Sequence, residues 1–543
     1  MKTLLNIAIS ALLLLPCWSC SEDYLDTKPS TDASDGVVFK TTETAAQVIN
    51  GIARLMGLSA STGIYSQDIC GAEGSIKYSY GNAPGNTVTS WGVSTYGFTV
   101  NKAAGNMHQN NNHESDSFPW WHYYRLVSNA NSVIANIDEA EGPLSEKQRI
   151  KAQALVFRAY AYTMLVQLYA YRWTDSNNGA TPSVVLRLKP GNEPMPLASL
   201  AGAYRQIYAD LDEAIDLFTA SGWARPANDF WSPNINVAYA TYARAAINKL
   251  DYEKAIQMAP KAREGYPLMT VNEYKSGFYS PNREWIWGSY QGSEQRQQWS
   301  GFHAYMGYNA YAATATAGGV KRIVKSYYEK IPNTDLRKTL FLNPVGYPEN
   351  TFNSTDWSLP IDRQHPKGAV IADSLRKLFP NLSLPAEYPN DKFSAYMQLK
   401  FCINPTSTTS DNVGNLNHFR SSEMYLIEAE AQYKLGNENA ARNALITLTK
   451  DSGRNPQYAC TKTGDELLEE IKFLSQIELW GEGFDWFMTK RWGDRIVHTA
   501  ISQGGSYLEA FHGEWGPEDQ NKQTWMVPLL ETDYNPLAKT VDN

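Results

Sequence analysis

The sequence predicts an all-α protein, in which a scaffold of stacked helical repeats is interrupted by long loop-rich segments that build one face. Three observations predict it. Apolar residues recur at helical spacing over much of the 543-residue chain. Two helical hairpins resemble each other, and two long stretches rich in Gly, Ser, Thr, Asn and aromatics show no period at all.

The helices come first. Within 151–169, Leu155, Ala159, Tyr162, Val166 and Tyr169 follow steps of four, three, four and three, one stripe of an amphipathic helix. Ile207, Tyr208, Leu211 and Ile215 repeat the pattern within 204–218. Further helices are predicted at about 44–56, 121–137, 236–250, 252–263, 421–435, 438–450 and 466–476. The stretch from Lys249 to Ile256, KLDYEKAI, parallels KLGNENAA from Lys434 to Ala441. Each lies at the turn of a hairpin whose small residues let two helices approach, the layout of a tetratricopeptide-like pair. One such pair cannot bury its apolar face alone, so several must stack.

The aperiodic stretches, 63–118 and 267–319, are too long for plain connections and carry too many Trp and Tyr for disorder. They are expected to form a loop-rich face of about 61–118 and 266–414, on a helical scaffold of about 37–60, 119–265 and 415–495. Trp285 and Trp287 alternate as in a strand that buries one face. Trp120 and Trp121 are expected to open a helix and to lie in the core.

At the start of the chain, Met1 and Lys2 precede an apolar run from Leu4 to Leu15 and a small residue, Ser19, which reads as an export signal over 1–19. The run is shorter than the roughly 20 residues a bilayer span needs. Ser19 before Cys20 resembles a bacterial lipobox, with Cys17 and Trp18 in place of the usual residues further upstream. The resemblance implies an acylated Cys20, and acyl chains add about 0.8 kcal/mol of membrane affinity per buried methylene. Residues 20–36, acidic and Pro-containing, read as a tether, and 37–543 as a single domain. Cys70, Cys402 and Cys460 then allow one disulfide at most and show no metal or redox spacing. A net charge of −8 argues against a nucleic-acid partner. Aromatics make up 12% of the chain, and 33 Tyr against 18 Phe suits partly wet surfaces.

Six segments in order carry a family resemblance. SCSEDYLDTKP (19–29), FPWWHYYRLVSNANSVIANID (118–138), RAYAYTMLVQLYA (158–170) and FRSSEMYLIEAEAQYKLG (419–436) are followed by QIELWGEGFDWFMTKRWG (476–493) and WMVPLLETDYNP (525–536). They resemble the RagB/SusD family of nutrient-binding outer-membrane lipoproteins, the fifth segment most specifically. Leu474-Ser475, Met488 and Leu448–Lys450 depart from its pattern in scaffold helices and are expected to alter packing more than binding. The resemblance implies a SusD-like fold, a glycan or in some members a peptide as cargo, and a SusC-like TonB-dependent outer-membrane transporter as partner. It implies a lipid-anchored protein facing the cell surface, with no cofactor.

Sugars offer flat C–H faces and hydroxyl rims, so a binder needs aromatic platforms beside polar groups. The candidates are Trp91 and Trp299, in polar surroundings, then Tyr78, Tyr80, Tyr96, Tyr290, Trp287, Asn86 and Arg296. Catalytic and metal motifs are missing from the sequence: no nucleophile elbow, no H-E-x-x-H helix and no phosphate loop. His108 and His113 read as a solvated turn. Glu428 and Glu430 read as surface solvation, and Glu478 and Glu482 as partners of helix ends or of Arg491. The expectation is a binder and not an enzyme. A peptide-capturing relative, a secreted glycoside hydrolase with a carboxyl pair and a protein-binding helical array are the alternatives.

Overall fold

A computed structural model describes residues 38–58, 71–90, 110–292, 294, 301–310, 321–343, 395–404, 413–519 and 523–539. The described scaffold is helical: α1 (Thr42–Gly57), α2 (Glu114–Asn136), α3 (Leu144–Tyr169), α4 (Leu200–Ser221), α5 (Ile235–Asn248), α6 (Tyr252–Ala262), α7 (Ser421–Lys434), α8 (Glu438–Ile446), α9 (Gly464–Glu478) and α10 (Asp485–Trp492). Among these residues the strands are short and pair in twos: β1 (Val88–Ser90) with β5 (Lys321–Ile323), β2 (Pro182–Val185) with β3 (Leu197–Ser199), β4 (Trp285–Ser289) with β6 (Leu416–Arg420), and β7 (Ile496–His498) with β8 (Gly513–Trp515).

The helices stack as hairpins, α3 on α4, α5 on α6 and α7 on α8, with α6 also against α7. This is the arrangement the two related hairpin sequences predict. Caps set their starts: Asn234 accepts from the Val237 amide, Asp251 from Lys254 and Ser199 from Gly202. One core joins α1 to α6 through residues such as Leu155, Ala159, Ile207, Ala243 and Trp287, and a second gathers α7, α8 and α9 around Leu445, Leu467, Ile471 and Trp480. The departures Leu474 and Met488 are buried in the second core. The predicted helix over 438–450 ends in a π-turn, Thr447–Asp451, and α10 lies beyond the helices that periodicity predicts.

Helix α2 starts seven residues earlier than predicted, because His113 Nδ1 accepts from the Ser115 amide at 3.1 Å. His113 is thus a helix cap and not a solvated turn; His108 lies outside the described residues. Pro119 sits inside α2, where its ring displaces the carbonyl four residues back and removes one N–H. Two tyrosines repair the damage. Tyr80 donates its hydroxyl to the orphaned Ser115 carbonyl at 2.5 Å. The Tyr169 hydroxyl donates to the Asp116 carbonyl at 2.5 Å and accepts from the Trp120 amide at 3.1 Å.

Cys402 and Cys460 are both free and buried, and Cys70 lies outside the described residues. No described helix is long and apolar enough to cross a membrane, and no described group of acids, His and Cys could hold a metal ion.

Candidate ligand face

Several stretches that the sequence assigns to the ligand face lie outside the described residues, and with them Trp91, Tyr96, Arg296 and Trp299. Their roots are described, and the roots meet. Segment 91–109 leaves from Ser90, which pairs with Lys321, where segment 311–320 returns. The Tyr396 carbonyl accepts from the Ile323 amide at 3.1 Å and that of Lys321 from Gln398 at 2.9 Å, which sets the return of 344–394 beside them. Asn309 Oδ1 accepts from the Ile403 amide at 2.9 Å, and Asn404 pairs across to Val413 at 2.8 Å, so 311–320 and 405–412 are neighbours at their bases. Asn415 Oδ1 accepts from the Gln291 amide at 3.0 Å, joining 405–412 to the 293–300 stretch. Finally, a Cβ at Gly57 would stand 2.8 Å from the Tyr290 carbonyl, so the end of α1, where 59–70 departs, touches the same place. Six segments outside the described residues thus each have at least one end at this patch.

A buried ion cluster holds the patch to the scaffold. Four bases (Arg337, Lys400, Arg420, Arg454) face four acids (Glu284, Asp335, Glu478, Glu482), and every one is almost wholly buried. Arg420, at the end of β6, is its centre. Its Nη1 donates to Glu284 and to Glu478, both at 2.8 Å, while Nε and Nη2 fork onto Glu482 at 2.8 and 2.7 Å. Arg454 bonds Glu478 at 3.0 Å and Glu284 at 3.1 Å, and Lys400 reaches Glu482 at 2.6 Å. Burial alone would raise the Glu482 carboxyl, yet Arg420 and Lys400 outweigh it and hold the group down at about 2. Burial lowers Lys400 to about 8, with Glu482 opposing. Glu478 lies well below the usual range because three arginines overcome its desolvation. Glu478 and Glu482 therefore bind this cluster and not Arg491. Arg491 pairs instead with Glu430, which is buried and also accepts from Trp492 Nε1 at 3.0 Å, while Glu428 pairs with Arg263 at 2.6 Å. Neither acid is the solvated surface group the sequence suggests.

The fifth resemblance segment supplies the clamp next to the cluster. Gly483 takes φ +90°, and a Cβ there would lie 2.6 Å from Lys77 Cα, so only glycine admits the approach. Asn82 then grips the loop from both sides, donating to the Gly481 carbonyl at 2.7 Å and accepting from the Gly483 amide at 2.8 Å. Asp485 Oδ2 accepts from the Thr87 amide and hydroxyl, both at 2.7 Å, three residues before the root of 91–109. Burial raises this carboxyl to about 6 against the pull of its hydrogen bonds.

The described candidates fall into two groups. Tyr78, Tyr80, Trp287 and Asn86 are held by the scaffold. Tyr78 stacks on Tyr305 with centroids 4.6 Å apart, Tyr80 mends α2, and Trp287 is buried in β4 with Nε1 donating to the Trp231 carbonyl at 2.7 Å. Both ends of the Asn86 amide are spent on the edge of β7, donating to Arg495 at 2.9 Å and accepting from Val497 at 2.8 Å. Burial in the core leaves Tyr80 and Trp287 no face to offer a ligand, so these two predicted ligand residues are structural ones. Tyr290 is different: it is 47% exposed at the loop roots, with Trp231 edge-on at 6.2 Å. Beside it the Gln291 side-chain amide is buried, its Nε2 without an acceptor among the described residues. Trp231 is not marked by the sequence, because the Phe230-Trp231 pair lies in a Pro- and Asp-containing connection with no period.

A family model described as "Starch-binding associating with outer membrane" matches residues 23–247, and one described as "SusD family" matches 276–536. The chain belongs to the SusD/RagB family. Among solved structures, a SusD-like carbohydrate binding protein from Bacteroides vulgatus is 21% identical with a TM-score of 0.72, over 92% of this chain and 98% of that one. A SusD superfamily protein from Bacteroides thetaiotaomicron is 20% identical with a TM-score of 0.68, over 92% and 99%. Surface glycan-binding protein A from the same species is 15% identical with a TM-score of 0.64, over 91% and 98%. No curated protein matches the sequence. The SusD-like, mostly helical fold is thus established, and the 481–485 part of the clamp lies within the residues that the SusD family model matches.

Proposed function

We propose that this SusD/RagB protein binds a nutrient glycan at the patch where the loops are rooted, and hands it to a SusC-like TonB-dependent transporter. The observation that carries the reading is the convergence of six loop roots beside an exposed Tyr290. Tyr290 and Trp231 supply the aromatic surface that a sugar ring stacks on, and Trp91, Tyr96, Trp299 and Arg296 belong to segments rooted at the same patch. Cys20, acylated, would hold the protein to the outer membrane facing outward, through the tether of 20–36. The four acids of the buried cluster are neutralised by three arginines and a lysine, which fits binding without hydrolysis.

The test is affinity gel electrophoresis of residues 21–543 in a panel of neutral polysaccharides, with Trp91→Ala, Trp299→Ala and Tyr290→Ala alongside. Retardation by one glycan, reduced in these variants and without release of reducing ends, is the expected outcome. If no polysaccharide retards the wild type, the glycan reading fails, and release of reducing ends would overturn the non-enzymatic one.

A further inference from the structure

A groove elsewhere on the protein carries an independent reading. It encloses about 330 Å³ between one face of α2 and the chain's C-terminal segment, near the volume at which small-ligand sites begin. Trp120, Trp121, Tyr124, Arg125 and Ser128 line it from α2, spaced by threes and fours, and Arg187 with Lys189 close one side and Leu530 with Glu531 the other. None of these residues roots a loop of the proposed glycan face. Trp121, expected in the core, is only partly buried, and its indole faces the Arg125 guanidinium at 4.4 Å.

The charges of the groove do not balance. Glu531, its acid, is already committed: it accepts from Arg187 at 3.3 Å, Trp120 Nε1 at 3.2 Å and Asn535 Nδ2 at 2.8 Å. Arg125 is half-buried and forms no ion pair among the described residues, and Lys189, exposed at the mouth, forms none either. Desolvation with no compensating acid lowers the Arg125 pKa. An apolar floor with two uncommitted cations asks for an anion that also presents a flat apolar surface. A bound peptide strand is disfavoured at Val185 and Arg187, whose carbonyls already accept hydrogen bonds. Tyr124 donates to Val185 at 2.7 Å, Asn131 donates to Arg187 at 2.9 Å, and β2 is already paired with β3.

We infer that this groove is a second sugar site, selective for a uronate-bearing ring, with Trp121 and Tyr124 against the ring and Arg125 on its carboxylate. The groove shares no lining residue with the loop-root patch.

Calorimetric titration of residues 21–543 with tetragalacturonate and tetramannuronate, against the methyl-esterified tetragalacturonate, tests it. The expected result is binding of at least one acidic probe tenfold or more tighter than the ester. That binding should fall at least tenfold in Arg125→Gln and in Trp121→Ala, with both variants melting within a few degrees of wild type. Tyr290→Ala, at the loop roots, should leave it unchanged. Equal affinity for acid and ester, or no effect of Arg125→Gln, overturns the inference. Loss of acid binding in Tyr290→Ala also overturns it, by placing the sugar at the loop face. If neither acidic probe binds, the inference is overturned and the groove is left to a protein partner. The neutral-polysaccharide gels score the loop face separately, so either reading can fail alone.

Discussion

The helical half and the loop-bearing half of this protein are held together by different forces. Around α3, the core is aliphatic and small: Leu155, Ala159 and Leu165 are wholly buried, and a stripe of one helix fills the groove of the next. Around Arg420, the interior is ionic, with eight charges sealed from water and matched four against four. Apolar packing is tolerant, since volume can be redistributed among neighbours. A sealed ion cluster is not, because removing one charge strands the others in a low dielectric.

The largest expected effect follows from that contrast. Glu478→Gln takes away the carboxylate shared by Arg337, Arg420 and Arg454. It should cost about 3–5 kcal/mol of unfolding free energy, read by denaturant titration. A cost below about 1 kcal/mol would mean that the cluster relaxes like an apolar core and that the contrast is wrong.

A pair of conservative changes sharpens it. Arg420→Lys keeps the charge but cannot reproduce a fork that serves Glu284, Glu478 and Glu482 at once. It should cost about 2–3 kcal/mol, the upper range for hydrogen bonds to charged groups. Leu155→Met, equally conservative and equally buried, should cost under about 1.5 kcal/mol. Equal thermal shifts for the two would erase the distinction.

The two halves were also unequally legible. Most scaffold helices showed in the sequence because apolar spacing is a local signal, and the Asn and Asp caps stand beside the helices they start. The ion cluster did not show. Its members, from Glu284 to Glu482, are scattered through the chain, and nothing local says that Arg420 meets Glu478. Glu478 and Glu482 stand out only through the resemblance, and sequence proximity suggests Arg491, their nearest arginine, rather than the distant Arg420. The same limit governed the site. Aromatic content pointed to the right stretches, but Trp287 and Tyr80 look no different from Tyr290 in sequence; a proline kink, a strand register and a loop root decide which of them is exposed.

Acid separates the ion cluster from the neighbouring clamp by the sign of their response. Glu482, depressed to about 2, contributes stability that is complete above its unfolded value of 4.5 and is lost as pH falls toward 2. Asp485, raised from 3.8 to about 6, works in the opposite sense: its contribution is complete below pH 3.8 and is lost as pH rises to 6. Each fully buried group should tilt the stability curve by about 1.4 kcal/mol per pH unit inside its own window. Asp485→Asn should flatten the curve between pH 4 and 6 and leave the acid limb in place. Chemical denaturation at half-unit pH steps reads both, and a slope between pH 4 and 6 that survives the substitution would remove Asp485 from the account.

The smallest effect on stability should come with a clear effect on binding, at Tyr290. Tyr290 is 47% exposed, and its carbonyl, not its phenol, faces the end of α1. Truncation therefore opens no cavity, and Tyr290→Ala should change unfolding free energy by no more than about 0.5 kcal/mol. A sugar ring stacked on the phenol would lose about 0.5–1.5 kcal/mol of contact, which is roughly two- to tenfold in affinity. Retardation in the neutral-polysaccharide gel should weaken by that factor while the melting curve stays put. A variant that melts early would show that Tyr290 belongs with Trp287 and Tyr80 among the structural aromatics. A variant that neither melts early nor binds more weakly would show that exposure at the loop roots is not by itself the mark of the ligand surface.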